Sequence, residues 1–433
     1  MSDRNETTGE GRTGAIVLAA GQGTRMRASG PKVLQPLLGK PLIEHVLDAI
    51  AAAGVDGPAV VVVPADDDRV AHALQDRPGV RVAVQPQPDG TGGAALAGLR
   101  ALEATGLPPR VLVACGDAPL IRPETFAALI ERHEQAAAAA TVLTAEVPDP
   151  SGYGRIVRSG DGERVARIVE DREARPGERG IHEINSGTFV FDTEGLADLL
   201  EQLPVQPYKG ERYLTDVVQR LVAARKTVAA FRAEQWQEVL GVNTIEQLAD
   251  AGAILRKRIV YGLMRSGVQI PAPELVWIEV DVEVAPGARI EPFSVLRRGA
   301  RVGADAVVGP FAHLGPGAQL AARAEVGNFV EVKRSTIGEG AKAKHLAYIG
   351  DAQIGPRANV GAGTVFCNYD GKDKHRSVVG EGAFVGSGSL LVAPCELAPG
   401  ARTGAGAVVT RGSRVESGET WVGVPARPLD PRR

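Results

Sequence analysis

The sequence predicts an α/β protein in two parts: a mostly parallel sheet with helices on both faces, and a parallel β-helix, joined by one helix. Three observations predict it. Short β-rich runs alternate with helical patterns from Ala15 to about Val242, which is how βαβ units read. A single helical pattern occupies Thr244 to Ser266. After it, aliphatic residues recur at every sixth position, and a fixed short period marks a solenoid. At 433 residues the chain is also too long for one ordinary core.

The elements follow in order. Residues 1–13 are polar, lack an apolar signal core and read as a disordered tail. AIVLAA, PAVVVV, VRVAV, RVLVAC and GTFVFD read as strands, and PLIEHVLDAIAAAG, PETFAALIERHEQ and LTDVVQRLVAAR as helices. In the connecting helix Thr244 is the expected N-cap, with Ile245, Leu248, Leu255, Ile259 and Leu263 as the apolar stripe. The six-residue period then runs through Val284, Ile290, Leu296, Val302, Val308, Leu314, Leu320 and Val326. It slips at Ile337, resumes at Ala343 and Ile349, and is clear again from Ile354 to Leu397. Three such units make one triangular coil, and the aliphatic residue points inward. The largest interruption is FCNYDGKDKHRS, Phe366 to Ser377, a polar loop expelled from the solenoid.

Composition narrows the function. Apolar residues at 44%, charged residues at 23% and a net charge of −3 describe an ordinary globular protein without the basic face of a nucleic-acid binder. No run approaches a membrane helix. Cys115, Cys367 and Cys395 form no metal-type spacing, so a reduced, cytoplasmic setting is expected.

Chemistry is concentrated in LAAGQGTRM and PKVL, Leu18 to Leu34. Two glycines open the backbone beyond a buried strand, and Arg25 and Lys32 follow, an arrangement suited to an anion such as phosphate. Alone, this loop reads equally well as a tight turn. Together the segments resemble the signature of sugar-1-phosphate uridylyltransferases, and further fragments fit in order: QPQPDGTGGA, ACGDAPL, GYGRI, IVED, EINSG, YLTD and GVN. Singly, Asp117 reads as a turn former, Asn185 as a cap and Lys32 as a surface lysine.

The resemblance implies a Rossmann-like nucleotidyltransferase (GT-A-like) domain over 14–243. It implies that Leu18, Ala19, Gly21, Gly23, Lys32, Gln85, Gly90, Thr91, Gly154, Glu170, Asn185 and Asn243 bind UTP and the UDP-sugar. Arg25 and Lys32 would be catalytic, and Asp117 and Asn243 would hold Mg²⁺. Cys115 stands where an aromatic residue is common in the family.

The second half carries VGNFVEVK, KAKHLAYIGD, NVGAGTVFCNYDG and FVGSGSLLVAP. The order of the two halves resembles the bifunctional family that makes UDP-N-acetylglucosamine by acetylating glucosamine-1-phosphate and then uridylylating the product. That likeness implies a left-handed β-helix over 267–433, a linker at 244–266 and a homotrimer using small-molecule substrates only. His345 would be the general base, since imidazole titrates near neutrality. Lys333, Tyr348, Asn359 and Lys374 would bind the amino-sugar phosphate, and Asn368, Tyr369, Ser387 and Ala405 acetyl-CoA.

Two departures stand out. His313-Leu314-Gly315 replaces an arginine-bearing segment, leaving Arg334 or another nearby cation to clamp the phosphate, and in the C-terminal run ETWVGVPARPLD only Arg427 remains to meet the CoA phosphates. Two other readings stay open: a uridylyltransferase whose β-helix only assembles the protein, and an acyltransferase for a different amino sugar.

Overall fold

The computed structural model describes residues 12–21, 23–26, 29–160, 162–206 and 210–429. Most of the tail expected at 1–13 lies outside them, although Thr13 already opens the first strand. The chain divides into two compact units between Ala251 and Gly252.

Branched aliphatic runs build the first unit. Strands β1 (Thr13–Leu18), β2 (Ala59–Pro64), β3 (Val80–Gln85) and β4 (Arg110–Cys115) pair in parallel, in the order β4-β1-β2-β3. Beyond β4 lie three further strands: β5 (Ala140–Glu146), β8 (Glu183–Asp192) and β9 (Val228–Arg232). Strand β8 runs antiparallel between β4 and β5, and β9 lies parallel along β5. A hairpin of β6 (Arg155–Arg158) and β7 (Val165–Val169), which no sequence periodicity signals, attaches to β8. The central strands β1, β2, β4 and β5 are near-continuous apolar runs buried on both faces, as a helix-covered sheet requires, whereas the edge strand β3 exposes Val82 and Val84. The helices α1 (Leu42–Ala52), α2 (Gly90–Glu103), α3 (Pro123–Gln135) and α4 (Asp216–Ala223) supply that cover through two apolar clusters.

Helix α5 spans Ile245–Arg265. The Thr244 hydroxyl accepts the N–H of Gln247 at 3.2 Å, so the cap forms as its side chain dictates. The stripe differs from the expected one: Ile245 is 52% exposed, whereas Val260 is buried and joins the solenoid core, with Ile259 and Leu263 packed against it.

The second unit is a left-handed parallel β-helix. Its short strands stack into three ladders: face 1 from Trp277–Ile278 to Val408–Val409, face 2 from Glu283–Val284 to Arg414–Val415, and face 3 from Arg289–Ile290 to Thr420–Val422, closed by Arg427–Pro428. Every aliphatic residue of the six-residue series is buried. The slip at Ile337 has a physical cause. A side one residue shorter brings Ser335 inside, where its hydroxyl donates to the Lys333 carbonyl at 2.9 Å and accepts the N–H of Ala352 at 2.8 Å. Thr403, similarly inside, accepts the N–H of Gly386 and meets the Ser389 hydroxyl. Both polar plugs are therefore satisfied, which spares the cost of a buried orphan.

The corner between faces 3 and 1 carries an unusual column. Phe293, Phe311, Phe329 and Leu346 are exposed and adopt left-handed φ values of 61°, 55°, 55° and 49°, a region that favours glycine. The three rings stack at 4.8 and 5.2 Å. Continuing upward, the column switches to Gly363, Gly388 and Gly406.

Phe366 is the largest fully buried side chain of the solenoid. Truncation to alanine should destabilise the second unit by about 3–5 kcal/mol. Calorimetry of the full chain checks this, and an unchanged transition would contradict the packing described.

Candidate functional site

The carboxyl ends of β1, β3 and β4 open onto a cavity of about 660 Å³, within the range of small-ligand pockets. Leu18, Ala19, Gly21, Lys32, Gln85, Gly90, Thr91, Asp117, Glu170 and Asn185 all line it. Ligands of open parallel sheets sit at this end of the strands.

Local structure positions each group. Gly23 has φ 60°, and a Cβ there would stand 2.9 Å from the Lys32 Cβ, so a bare backbone lets the loop close over the Lys32 stem. Gly90 opens α2 with φ 91°, and a Cβ would meet the Arg212 carbonyl at 2.7 Å. Gln85, buried at the end of β3, donates through Nε2 to Asp89 at 2.8 Å and to the Gly90 carbonyl at 3.0 Å. Its Oε1 has no partner among the described residues, leaving one spare acceptor on a residue of the cavity wall. In β8 the register breaks between Asn185 and Phe189, a bulge that re-aims side chains. There the Asn185 Oδ1 accepts the N–H of Gly187 at 3.0 Å, and its backbone N–H goes to the Gly154 carbonyl at 2.8 Å. Thr215 donates to Glu170 at 3.0 Å.

Residues far apart in sequence meet at the rim. The Lys32 ammonium forms an ion pair with Asp117 and donates to Asn243 Oδ1 at 2.9 Å. Arg25 reaches the same Asn243 oxygen at 2.9 Å. Thus Arg25, Lys32, Asp117 and Asn243 form one connected group, although Arg25 and Asn243 are not themselves part of the cavity wall. Gly154 backs the wall: a Cβ there would lie 3.7 Å from Asn185 Cβ and 3.8 Å from Glu170 Oε1.

Sequence reasoning missed Glu211 and Tyr213, which also line the cavity. Tyr213 opens the YLTD fragment, of which it was not singled out, and Glu211 lies just before it with no motif to mark it.

The donor set suits magnesium. Asp117 and Asn243 present hard oxygen donors around one cation, the Lys32 ammonium. No cluster of three or more His, Cys, Asp or Glu side chains arranged for a metal occurs among the described residues. Such a site matches an ion that keeps its waters and takes the rest of its ligands from substrate phosphates.

In the second unit the candidate residues fall into separate groups. The column at the corner of faces 3 and 1 runs Asn328, His345, Ala362, Ser387 and Ala405, stepping through ladder and corner hydrogen bonds. His345 is exposed and has no hydrogen-bond partner among the described residues. On face 1, Glu331 pairs with Tyr348 and Lys333 with Gly350. The Tyr348 hydroxyl and Asn368 Nδ2 both lie over Gly350, at 2.5 and 2.7 Å from where its Cβ would stand. Asn359 is on face 3, between Lys342 and Phe384 in the ladder, and one chain does not bring it to the face 1 group.

The expelled loop is organised on Asp370. Its carboxylate accepts the N–H groups of Lys372 and Asp373 at 3.0 and 2.8 Å, His375 Nε2 at 2.6 Å and Arg411 Nη1 at 3.1 Å. The Asp373 N–H first, then His375, hold it well below the usual carboxylate range. A backbone bridge joins Tyr369 to Lys374 inside the loop. Arg334 is held by Asp351 through Nε at 2.6 Å and Nη2 at 2.8 Å, so it is not free to clamp a phosphate. Exposed Arg427 donates to the Ala426 carbonyl at 2.8 Å.

Fold and site together define a nucleotidyltransferase unit followed by a hexapeptide β-helix. The family model described as nucleotidyl transferase matches residues 14–256. Curated relatives match almost end to end. "Bifunctional protein GlmU" of Streptomyces coelicolor is 42% identical over 92% of this chain and 89% of its own. That of Exiguobacterium sp. is 43% identical over 92% and 94%, and that of Koribacter versatilis 40% over 91% and 91%. The chain belongs to the GlmU family.

One departure has a chemical consequence. Cys115 lines the cavity and is half-buried, and burial, with Asp117 adding to it, pushes its thiol up to about 12. A raised pKa leaves little thiolate at pH 8, so iodoacetamide should label Cys115 at least about tenfold more slowly than a free cysteine. Peptide mass spectrometry reads the rate, and labelling at the free-thiol rate would refute the burial.

Proposed function

We propose that this chain makes UDP-N-acetylglucosamine, transferring an acetyl group from acetyl-CoA to glucosamine-1-phosphate and then a uridylyl group from UTP to the product. The observation that carries the reading is the convergence of Arg25, Lys32, Asp117 and Asn243 at the rim of a cavity walled by Gln85, Gly90, Thr91, Glu170 and Asn185. The "bifunctional" in the relatives' name supports it.

In uridylyl transfer an oxygen of the sugar phosphate attacks the α-phosphorus of UTP in line, a new P–O bond forms, and pyrophosphate leaves. Charge accumulates on the phosphates, so positioning and neutralisation supply most of the catalysis. Lys32 and Arg25 meet that charge. Gln85 Oε1 accepts from the uracil edge, with Gly90 and Thr91 beside it, and Leu18, Ala19, Gly21 and Gly23 shape the backbone cradle. Gly154, Glu170 and Asn185 hold the sugar. Asp117 and Asn243 would hold Mg²⁺, which lowers the charge of the triphosphate and its leaving group.

In acetyl transfer an amine must lose its proton before it attacks the thioester. His345 takes that proton, the C–N bond forms, and CoA leaves as the thiol. Lys333, Tyr348 and Lys374 bind the amino-sugar phosphate, Asn359 and Asn368 place the amine and sugar, and Tyr369, Ser387 and Ala405 line the acetyl-CoA side. These groups stand on different faces of one rod, which supports assembly into a homotrimer whose neighbouring copies complete each site. The exposed Phe293, Phe311 and Phe329 ladder supports the same assembly, since burying it would repay the left-handed backbone it occupies. No described helix is long and apolar enough to cross a membrane; a cytoplasmic location is part of this proposal.

Asp117→Ala should lower pyrophosphate release from UTP and N-acetylglucosamine-1-phosphate more than about a hundredfold, and full activity would remove Asp117 from the phosphate site. His345→Ala should lower thiol release from acetyl-CoA by about 10²–10⁴-fold while pyrophosphate release is kept. Acetylation that survives in this variant would favour a β-helix with a purely assembling role or another base.

A further inference from the structure

Face 1 carries a column of outward positions two residues beyond the start of each strand: Glu279, Arg297, Gly315, Lys333 and Gly350. Backbone bonds fix the order, with Glu279 N–H on the Leu296 carbonyl at 3.0 Å, Arg297 N–H on Leu314 at 2.8 Å and Gly315 N–H on Val332 at 2.8 Å. Lys333 then pairs with Gly350. Adjacent rungs are about 4.8 Å apart.

The two glycines of this column differ. Over Gly350 the space is filled by the Tyr348 hydroxyl and Asn368 Nδ2. Over Gly315 it is less crowded: the nearest atoms to where a Cβ would stand are the flexible Lys333 stem at 3.2 Å and the Val332 carbonyl at 3.4 Å, and the backbone lies outside the left-handed region that favours glycine. Nothing in the turn demands glycine at 315. What its missing side chain creates is an empty rung between two cations.

Both cations have capacity to spare. The Lys333 ammonium has no hydrogen bond or ion pair among the described residues. Arg297 donates through Nη1 to Glu279 at 2.7 Å and stands with Nε 3.4 Å from His313 Nε2, while its Nη2 has no partner among the described residues. The carboxylates of this face are already engaged, Glu279 with Arg297 and the Arg298 N–H, and Glu331 with His313 at 3.6 Å. After burial, which lowers the His313 pKa most, Arg297 and Lys333 lower it further against Glu331 and Glu279, so the fields of both cations overlap at the same imidazole. An arginine and a lysine extend far enough from their rungs to close on one small anion above Gly315.

We propose that Arg297 is a phosphate-binding residue of the acetyl acceptor, holding with Lys333 the phosphate monoester of the amino sugar over the Gly315 rung, which carries no side chain of its own. This deepens the acetyltransferase reading above and rests on it. Arg297 takes no part in proton transfer and touches only the phosphate. It therefore sets specificity for the phosphorylated acceptor rather than the rate of acyl transfer.

The test compares the full-length protein with Arg297→Ala, Arg297→Lys and Arg297→Ala combined with Gly315→Arg. Losing one charge-assisted, fork-shaped contact should raise KM for glucosamine-1-phosphate about ten- to a hundredfold, with kcat held within about threefold and kcat/KM for unphosphorylated glucosamine unchanged. Lysine should recover part of the loss, and an arginine introduced at 315 should recover more, because it fills the vacant rung next to Lys333. A KM within twofold of the parent in Arg297→Ala, or equal losses for both acceptors, overturns the assignment. Should the parent acetylate no amino sugar, the acetyltransferase reading falls. Equilibrium titration with glucosamine-1-phosphate then decides on Arg297, and equal affinity in parent and Arg297→Ala overturns it. Uridylyl transfer and the thermal transition serve as controls for folding, and a loss of both with the KM effect would also count against a local role.

Discussion

A single ammonium organises the chemistry of the first unit. Lys32 Nζ joins Asp117, at the end of β4, to Asn243, at the end of the unit, and Arg25 closes on the same asparagine oxygen. The side chains of Lys32 and Asp117 are largely withdrawn from water, and a pair withdrawn in this way adds little net stability, because desolvation offsets most of the attraction. Its value lies in placement. An acidic carboxylate and a carboxamide are held in register for a cation, and the cation that holds them is itself suited to meet phosphate.

The β-helix depends on a different constraint, the demand that each coil bury one aliphatic residue per side. Where the demand is met the rod is regular; where a side is shortened, a hydroxyl such as that of Ser335 must enter and be satisfied. All the freedom left to the sequence is on the outside. Outer positions of face 1 therefore carry Glu279, Arg297, Lys333 and Tyr348, and the corner carries His345, Ser387 and Ala405. Residues eighteen or so positions apart become neighbours one rung away, so a change in one rung alters the reach of the next.

The periodic parts of this architecture were legible in the sequence. A six-residue series needs no context to be read, and the buried series from Val284 to Leu397 follows it. The β6–β7 hairpin was not legible, because four- and five-residue strands on the sheet margin carry no period. Helix α5 shows how pattern fails at an end: Ile245 matches the stripe but projects into solvent, while Val260 is inside. In the cavity, the glycine loop and Gln85 were visible because their function is local. Glu211 was not, since it enters through the fold from an aperiodic stretch, and Tyr213 was visible only as the first residue of the YLTD fragment. The meeting of Lys32, Asp117 and Asn243 had no sequence period behind it at all, only the order in which the fragments resemble those of a known family.

The two candidate centres solve the exclusion of water in opposite ways. The first uses strand ends, loops and α2 to line a cleft of about 660 Å³ within one chain, so its polar groups converge without help. The second is spread over an exposed face and corner, with His345 open to solvent and Asn359 on another side of the rod. A base that stays hydrated gains little from its position, and an amine must be desolvated to attack a thioester efficiently. On the reading proposed above, uridylyl transfer requires only a folded chain, whereas acetyl transfer requires a second surface laid against face 1. The exposed aromatic ladder gives way to glycines at Gly363, the rung just above His345. Apolar rings below would seat the neighbouring copy, and bare backbone above would leave room for a ligand between the two.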